Sequence, residues 1–261
     1  MKKTILMLAM LLSMGLVACA APPADEDSAT IEEDAHWGYE GELGPDAWAT
    51  LDSDYALCAT GRQQSPIDLP GEPEPTLADV TFDYRESAVR LRNNGHTIQV
   101  DYDDGSRIEI DGQPYELIQF HFHAPSEHTL AADGYPIELH LVHQSAADER
   151  LAVVGVLVEE GAENAALAPV WSHLPPQETE EVIATGTTVS AADLLPAERT
   201  LYRYRGSLTT PGCYEDVVWS VMSTPIQMSA SQITAFTDIF SGNNRPPQPL
   251  LDQDVQVSDA P

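Results

Sequence analysis

The alternation of apolar and polar residues predicts a sheet-rich domain between about residues 36 and 250. Four short runs, residues 88–91, 97–102, 107–110 and 117–123, place apolar residues at every second position, the pattern of strands with one buried face. Asp104-Gly105 separates two of these runs and Asp111-Gly112 follows the next, and such pairs favour tight hairpins. The sequence therefore predicts a largely antiparallel sheet in this region.

Two continuous apolar runs, residues 151–158 and 217–222, predict strands that are buried on both faces. Helical periodicity is sparse, and its best candidates are residues 163–173 and 229–240, the second with Ser229 as N-cap. No repeat or internal linker divides residues 36–250, so one domain is the economical interpretation. We expect a β-dominated α+β domain whose large, twisted, mostly antiparallel sheet carries short peripheral helices, followed by a polar tail at residues 251–261.

The first 19 residues have the composition of an export signal. Lys2 and Lys3 precede an apolar stretch over residues 5–17, and small residues follow it. Residues 20–35 are rich in Ala, Pro, Asp and Glu with almost nothing to bury, which predicts a flexible acidic spacer before the folded domain. We expect an exported bacterial protein.

The end of this signal is compatible with two kinds of processing. Leu16-Val17-Ala18-Cys19 resembles a bacterial lipobox, in which Cys19 is lipidated and becomes the first residue. Cleavage after Ala20 is the alternative, because Ala18 and Ala20 also satisfy the A-x-A pattern. We favour the lipoprotein interpretation, in which the domain contacts a membrane only through its anchor and faces the periplasm or the exterior.

The three cysteines of the chain, Cys19, Cys58 and Cys213, support the lipoprotein interpretation, because an odd number leaves one unpaired unless Cys19 is acylated or removed. If Cys19 is acylated or removed, Cys58 and Cys213 remain to form a disulfide, which an oxidising compartment would preserve. The alternative is a pair of free buried thiols.

The formal net charge of −30 is extreme, and both lysines lie in the export signal. Nucleic acid is therefore excluded as an expected partner, since its recognition needs clustered cations. So acidic a surface repels itself at low ionic strength, whereas salt screens the repulsion. We expect a protein adapted to a saline habitat.

Histidines form the most informative pattern of the chain. In the strand predicted over residues 117–123, the period of two sends His121 and His123 to one face and the phenylalanines between and beside them to the other. His140 and His143 are three apart on another predicted strand, so only one of them can join that face. Because Leu139 and Leu141 share the face of His143, we expect His143 in the core and His140 beside the first two.

Three neutral imidazoles suit a zinc ion with one position open for water, which is the catalytic arrangement. Gln119 and Glu138 each lie two residues before a histidine on the same face, where they can accept its second ring hydrogen. Glu127 and the hydroxyls of Thr209 and Thr210 could together orient a nucleophile. The alternative is three histidines that are satisfied separately within a sheet.

As an ordered set, the short motifs of residues 36–250 resemble those of the α-class carbonic anhydrases. Each motif alone is weak evidence, but the occurrence of so many of them in the family's order is highly specific. The resemblance implies a sheet of about ten strands. The motifs are His36-Trp37-Gly38-Tyr39, Gln64-Ser65-Pro66-Ile67-Asp68, Asn93-Asn94-Gly95-His96, residues 119–123, Ser126-Glu127-His128-Thr129, residues 138–143 and residues 207–211.

The resemblance implies roles for individual residues. It makes His121, His123 and His140 the zinc ligands, Gln119, Glu138 and Asn243 their hydrogen-bond partners, and Thr209 with Glu127 the pair that orients a zinc-bound hydroxide. It makes His96 the proton shuttle and assigns a structural role to His128. The implied carbon dioxide pocket is Val142, Val153, Leu208 and Trp219 with Thr210 on its polar side, and the implied water network is Tyr39, Asn94 and Gln99.

The implied activity is reversible hydration of carbon dioxide to bicarbonate and a proton, with slow ester hydrolysis by the same nucleophile. Sulfonamides and anions are the implied inhibitors, and a homodimer stays open because bacterial relatives often dimerise.

Two alternatives remain at this point: a binding module that has lost hydration, and an acidic surface protein with a structural zinc. Intact ligands with Thr209 and Glu127 argue against the first, and the lack of an evident fourth ligand argues against the second. The apolar pocket residues could also be ordinary core.

Overall fold

The structure is a computed structural model that describes residues 36–71 and 80–259. The predicted export signal, Cys19 and the acidic spacer lie outside the described residues, as do the last two residues of the predicted tail. Within the described part of the chain, no helix is long and apolar enough to cross a membrane.

The described residues form a 12-stranded sheet and a separate two-stranded one. The strands are β1 (Asp68–Leu69), β2 (Val80–Asp83), β3 (Glu86–Asn93), β4 (Ile98–Asp101), β5 (Arg107–Ile110), β6 (Gln113–His123), β7 (Thr129–Leu130), β8 (Ile137–Gln144), β9 (Leu151–Glu160), β10 (Thr179–Ser190), β11 (Thr200–Ser207), β12 (Glu215–Met222), β13 (Ile226–Met228) and β14 (Gln256–Asp259). The large sheet follows the order β10-β3-β4-β6-β8-β9-β12-β11-β14; β13 also pairs with β9, and β5 pairs with both β2 and β6.

The predicted fold class is confirmed, with two more strands in the large sheet than the family resemblance implied. Most neighbouring strands are antiparallel, but β9 pairs in parallel with β12 and β13. Residues 152–158 of β9 are all buried, as the continuous apolar run predicted. Parallel strands need a long crossover connection, and β10 and β11, which lie between β9 and β12 in the sequence, belong to that connection.

Two clusters of buried apolar side chains lie on opposite faces of β8, β9 and β12. The larger cluster contains Phe120 and Phe122, whereas the smaller one includes Val142, Val153 and Trp219. The alternation predicted for β6 therefore holds: its phenylalanines enter the main core, and its histidines face the other way.

The helices are short, as predicted. They are α1 (Trp48–Leu51), α2 (Leu57–Thr60), α3 (Ala168–Trp171) and α4 (Ala230–Thr237), with 3-10 turns at Gly41–Leu43, Ser53–Tyr55, Ala165–Leu167 and Ala191–Leu194. Ser229 caps α4 as expected, and the side chain of Gln232 completes a capping box. The helix predicted over residues 163–173 is helical over 165–171, but as a 3-10 turn followed by α3, because Pro169 has no N–H to donate and is tolerated only in the first turn of α3.

Cys58 and Cys213 form the predicted disulfide across 155 residues. Cys213 and Gly212 both have positive φ, and the Cys213 N–H donates to the carbonyl of Thr210. The disulfide therefore anchors the turn that follows Thr209 and Thr210.

Candidate metal centre

The three candidate ligands come together on two adjacent strands. His121 of β6 lies directly opposite His140 of β8, and His123 lies opposite Glu138. Each of His121, His123 and His140 contributes one ring nitrogen, and these three nitrogens lie within 4.8 Å of one another. The pairing register thus brings His140 next to His121 and His123, although it follows His123 by 17 positions in the chain.

Each imidazole donates its outer hydrogen to a fixed acceptor. His121 Nδ1 donates to Gln119 Oε1 at 2.8 Å, and His140 Nε2 donates to Glu138 Oε1 at 2.9 Å. His123 Nδ1 donates to the carbonyl oxygen of Asn243 at 2.7 Å. These bonds fix the tautomers, so His121 Nε2, His123 Nε2 and His140 Nδ1 keep their lone pairs for another partner.

The residues at this point fit a zinc ion. His123 Nε2 is buried and has no hydrogen-bond partner among the described residues, a costly state for a polar atom unless a ligand completes it. Burial lowers the pKa of all three histidines, and the neighbouring imidazoles lower the pKa of His121 further, so the neutral, coordinating form is favoured. Three neutral imidazoles with an open position form a donor set typical of catalytic zinc.

A second cluster, His128, Glu138 and His140, also brings one donor atom of each residue within 4.8 Å of the others. Its atoms are already satisfied, however. His128 Nδ1 donates to Glu138 Oε1 at 2.7 Å, and His128 Nε2 accepts from the hydroxyl of Tyr204 at 2.7 Å. This cluster is a buried hydrogen-bond network that holds the carboxylate beneath His140.

Glu127 and Thr209 lie next to the three imidazoles, and both are buried. Glu127 Oε1 accepts the backbone N–H of Arg245 at 2.8 Å, whereas Oε2 makes no hydrogen bond of normal geometry to any described residue and lies 4.0 Å from His140 Nδ1. Burial raises the pKa of Glu127 to about 7, although His140, the Arg245 N–H and the Thr209 hydroxyl each lower it.

A cavity of about 360 Å³ opens above the metal-facing nitrogens. One wall is apolar and includes the predicted Val142, Val153, Leu208 and Trp219, together with Leu151. The polar side carries Thr209 and Thr210, and the predicted Tyr39, Asn94, His96 and Gln99 also line the cavity.

His96 lies at the cavity in a half-buried position. Its ring stacks on Trp37 with 3.7 Å between centroids and 4° between planes. Partial burial lowers the pKa of His96, and His36 lowers it further, whereas Glu178 raises it. Asn94 Oδ1 accepts the N–H groups of His96 and Thr97, so this amide oxygen shapes the turn that presents His96.

Several contributors to the site had no role predicted from the sequence. The Arg245 N–H holds Glu127, Trp37 supports His96, and Ile118 and Leu151 line the cavity. The motif that contains Trp37 was a usable signal. Arg245 gave none, because its contribution here is a backbone group 118 positions from its partner.

Comparison with known proteins points to a single family. The family model described as eukaryotic-type carbonic anhydrase matches residues 43–259. The carbonic anhydrase of Nostoc sp. is 42% identical over 229 residues, which cover 84% of each chain. The α-carbonic anhydrase of Thermovibrio ammonificans, solved in complex with sulfanilamide, has a TM-score of 0.82 and 40% identity and covers 86% of this chain and 100% of its own.

A second similar structure is carbonic anhydrase Cah3 of Chlamydomonas reinhardtii in complex with acetazolamide. It has a TM-score of 0.74 and 34% identity, and the match covers 85% of this chain and 99% of that one. Sequence, fold and the arrangement of the histidines agree, and the chain belongs to the α-class carbonic anhydrase family.

Proposed function

We propose that this carbonic anhydrase hydrates carbon dioxide reversibly with one zinc ion held by His121 Nε2, His123 Nε2 and His140 Nδ1. The observation that carries the proposal is the convergence of three imidazoles, two buried and His121 half-buried, whose outer hydrogens are all committed, with His123 Nε2 left without a partner among the described residues. In carbonic anhydrases as a class, zinc lowers the pKa of a bound water to about 7, which supplies a nucleophile at neutral pH.

The protein's own residues orient the reacting groups. With zinc bound, the Thr209 hydroxyl would donate to Glu127 and accept a hydrogen bond from the nucleophile, so that a lone pair of the nucleophile would face the substrate. The Arg245 N–H holds Glu127 in place for this role and, by lowering the pKa of Glu127, favours the carboxylate that can accept. Thr210 borders the same space.

The apolar wall suits the substrate. Carbon dioxide carries no charge and therefore suits an apolar surface. The side chains of Val142, Val153 and Trp219 exclude water from the space beside the polar side, and they bind carbon dioxide only weakly. Bicarbonate is charged and poorly matched to that wall, which favours its release. The same nucleophile would hydrolyse activated esters slowly, and release of 4-nitrophenol from its acetate measures this.

His96 moves the proton to solvent. It is half-buried at the cavity, where partial burial lowers its pKa, and such an imidazole can accept a proton inside and release it outside. Replacement His96→Ala should slow turnover in dilute buffer, and added imidazole should restore it.

Stopped-flow hydration of carbon dioxide by residues 36–261 tests the proposal. The protein should be active with one bound zinc, lose activity on chelation and recover it on zinc addition. His121→Ala should lose both metal and activity, whereas the control His173→Ala, which changes a histidine outside the cavity, should keep both. A wild-type protein that hydrates no carbon dioxide when zinc is bound would overturn the proposal.

Inhibition offers a separate test of the cavity. Two similar carbonic anhydrases have been solved with the sulfonamides sulfanilamide and acetazolamide. We propose that sulfonamides and small anions also bind here, at the open position above the three histidines. Acetazolamide should therefore inhibit the zinc-loaded protein and show no binding to the His121→Ala variant.

We further propose that the domain is exported and attached to a membrane through an acylated Cys19. The order Leu16-Val17-Ala18-Cys19 and the acidic, proline-containing spacer after it support this proposal. Labelled palmitate should be incorporated by the full chain and not by Cys19→Ala. Absence of label from both chains would favour cleavage after Ala20, and equal labelling of both would place the acyl group on another residue.

A further inference from the structure

Three polar side chains form a connected row on β3 and β4 at the edge of the cavity. Gln99 Nε2 donates to Asp101 Oδ1 at 2.6 Å, and the other carboxylate oxygen of Asp101 accepts from Arg92 Nη2. Gln99 and Asp101 are two apart on β4 and share a face, and Arg92 lies directly opposite Gln99 on β3. Of the three, Gln99 alone lines the cavity.

Chemistry dictates which end of the Gln99 amide contacts Asp101. An ionised carboxylate can only accept hydrogen bonds, so the amide must present its NH2 group to Asp101. The carbonyl oxygen Oε1 is then directed away from Asp101. Among the described residues, no donor contacts Oε1, and this atom is not one of the buried polar atoms without a partner. It remains available to water in the cavity.

We propose that Asp101 is a positioning residue that fixes Gln99 with its carbonyl oxygen toward the cavity, as a permanent acceptor for the water between the three histidines and His96. This inference rests on the proposed function. Gln99 lies opposite His121 in the β4–β6 pairing, and His96 lines the same cavity. Arg92 holds Asp101 from the other side, so the carboxylate does not turn away from Gln99.

The polarity of Gln99 matters because protons move along waters that donate to one another in sequence. A glutamine without Asp101 can rotate its amide by half a turn and present either a donor or an acceptor. Waters beside it would then adopt two opposed orientations, and only some of these arrangements would connect to His96. A fixed acceptor removes that mixture.

The first experiment observes the amide itself and does not depend on activity. In a 15N-correlated NMR spectrum, the Gln99 NH2 pair is assigned by its absence from Gln99→Met. One of its protons should be shifted downfield and exchange slowly in wild type, with and without zinc, and should lose both properties in Asp101→Ala. Asp101→Asn is a conservative second variant, because its own amide can donate to Oε1 and permit the flipped orientation.

The second experiment separates proton transfer from hydration. In dilute buffer, Asp101→Ala and Gln99→Met should each lower kcat about threefold while leaving kcat/KM for carbon dioxide unchanged, and the double variant should lose no more than either. High imidazole should restore kcat. The matched control is Asp103→Asn, which breaks the neighbouring ion pair with Arg90 outside the cavity and should change neither constant.

The outcomes are distinguishable. An unaltered Gln99 amide signal in Asp101→Ala, an unchanged kcat, or an equal fall in kcat and kcat/KM would each overturn the positioning role. Absence of zinc-dependent hydration in wild type would instead overturn the proposed function, and the NMR comparison would still report the orientation of the amide.

Discussion

The imidazole of His143 lies in an apolar interior and is fully buried. Its Nδ1 donates to the Ala152 carbonyl at 3.2 Å, and its Nε2 accepts from the Tyr84 hydroxyl at 2.8 Å. Burial lowers the pKa of His143 to about 3, against the opposing effect of the Ala152 and Leu141 backbone. A histidine three positions from a candidate ligand thus has the opposite role.

This burial predicts a contribution to acid sensitivity. The unfolded chain protonates His143 near pH 6.5 and the folded chain only near 3, so its stabilising effect is complete above 6.5 and falls as the pH drops toward 3. Between pH 7.5 and 5.5, wild type should lose about 1.4 kcal/mol more unfolding free energy than His143→Gln. Urea unfolding of both proteins, at equal zinc content, measures the difference. Equal losses would show that His143 titrates alike in both states.

Residue types and strand alternation were enough to separate His140 from His143 and to orient His121 and His123. They could not supply the carbonyl of Asn243, whose contact with His123 spans 120 positions and uses a backbone atom that every residue possesses. Only resemblance to a family could suggest that contact.

At the scale of elements, strong local patterns predicted the structure and weak ones did not. The continuous apolar run predicted β9, and the N-cap serine predicted the start of α4. β10 is an edge strand with mostly exposed or half-buried residues and a glycine of positive φ at position 186, so it carries no hydrophobic alternation. Its position is fixed by pairing with β3, which a local pattern does not encode.

The capping box of α4 gives a prediction at this scale. Ser229→Ala removes the acceptor for the Gln232 N–H at the start of an eight-residue helix, which should cost about 1 kcal/mol of unfolding free energy. Thermal or urea unfolding measures the loss. Ser241→Ala, at an exposed serine beyond the helix, is the control and should be near neutral. A loss of equal size in both variants would contradict the capping interpretation.

For the whole molecule, the disulfide joins a helix near the start of the domain to the turn after the Thr209 segment. Cys58→Ser with Cys213→Ser should lower the unfolding free energy by about 2 to 4 kcal/mol, because the unfolded chain gains conformational freedom. Reduced wild type should behave like the double variant in urea unfolding. A reduced wild type as stable as the oxidised protein would remove this contribution.

The charge of the whole molecule predicts its response to salt. With a formal net charge of −30, repulsion among carboxylates destabilises the compact state at low ionic strength. Molar NaCl shortens the screening length to about 3 Å, so the unfolding midpoint should rise between low and molar salt at fixed pH. A midpoint that stays constant or falls would remove support for adaptation to a saline habitat.

The contacts from Asn243 to His123 and from Arg245 to Glu127 also impose an order on biogenesis. The histidines leave the ribosome more than a hundred residues before the backbone groups that orient them and their neighbouring carboxylate. A chain still under synthesis therefore carries the three histidines before it carries the backbone groups that orient them. If the chain binds zinc as proposed, tight binding belongs to the finished fold, so metal acquisition is expected as a late event, after the last strands have closed.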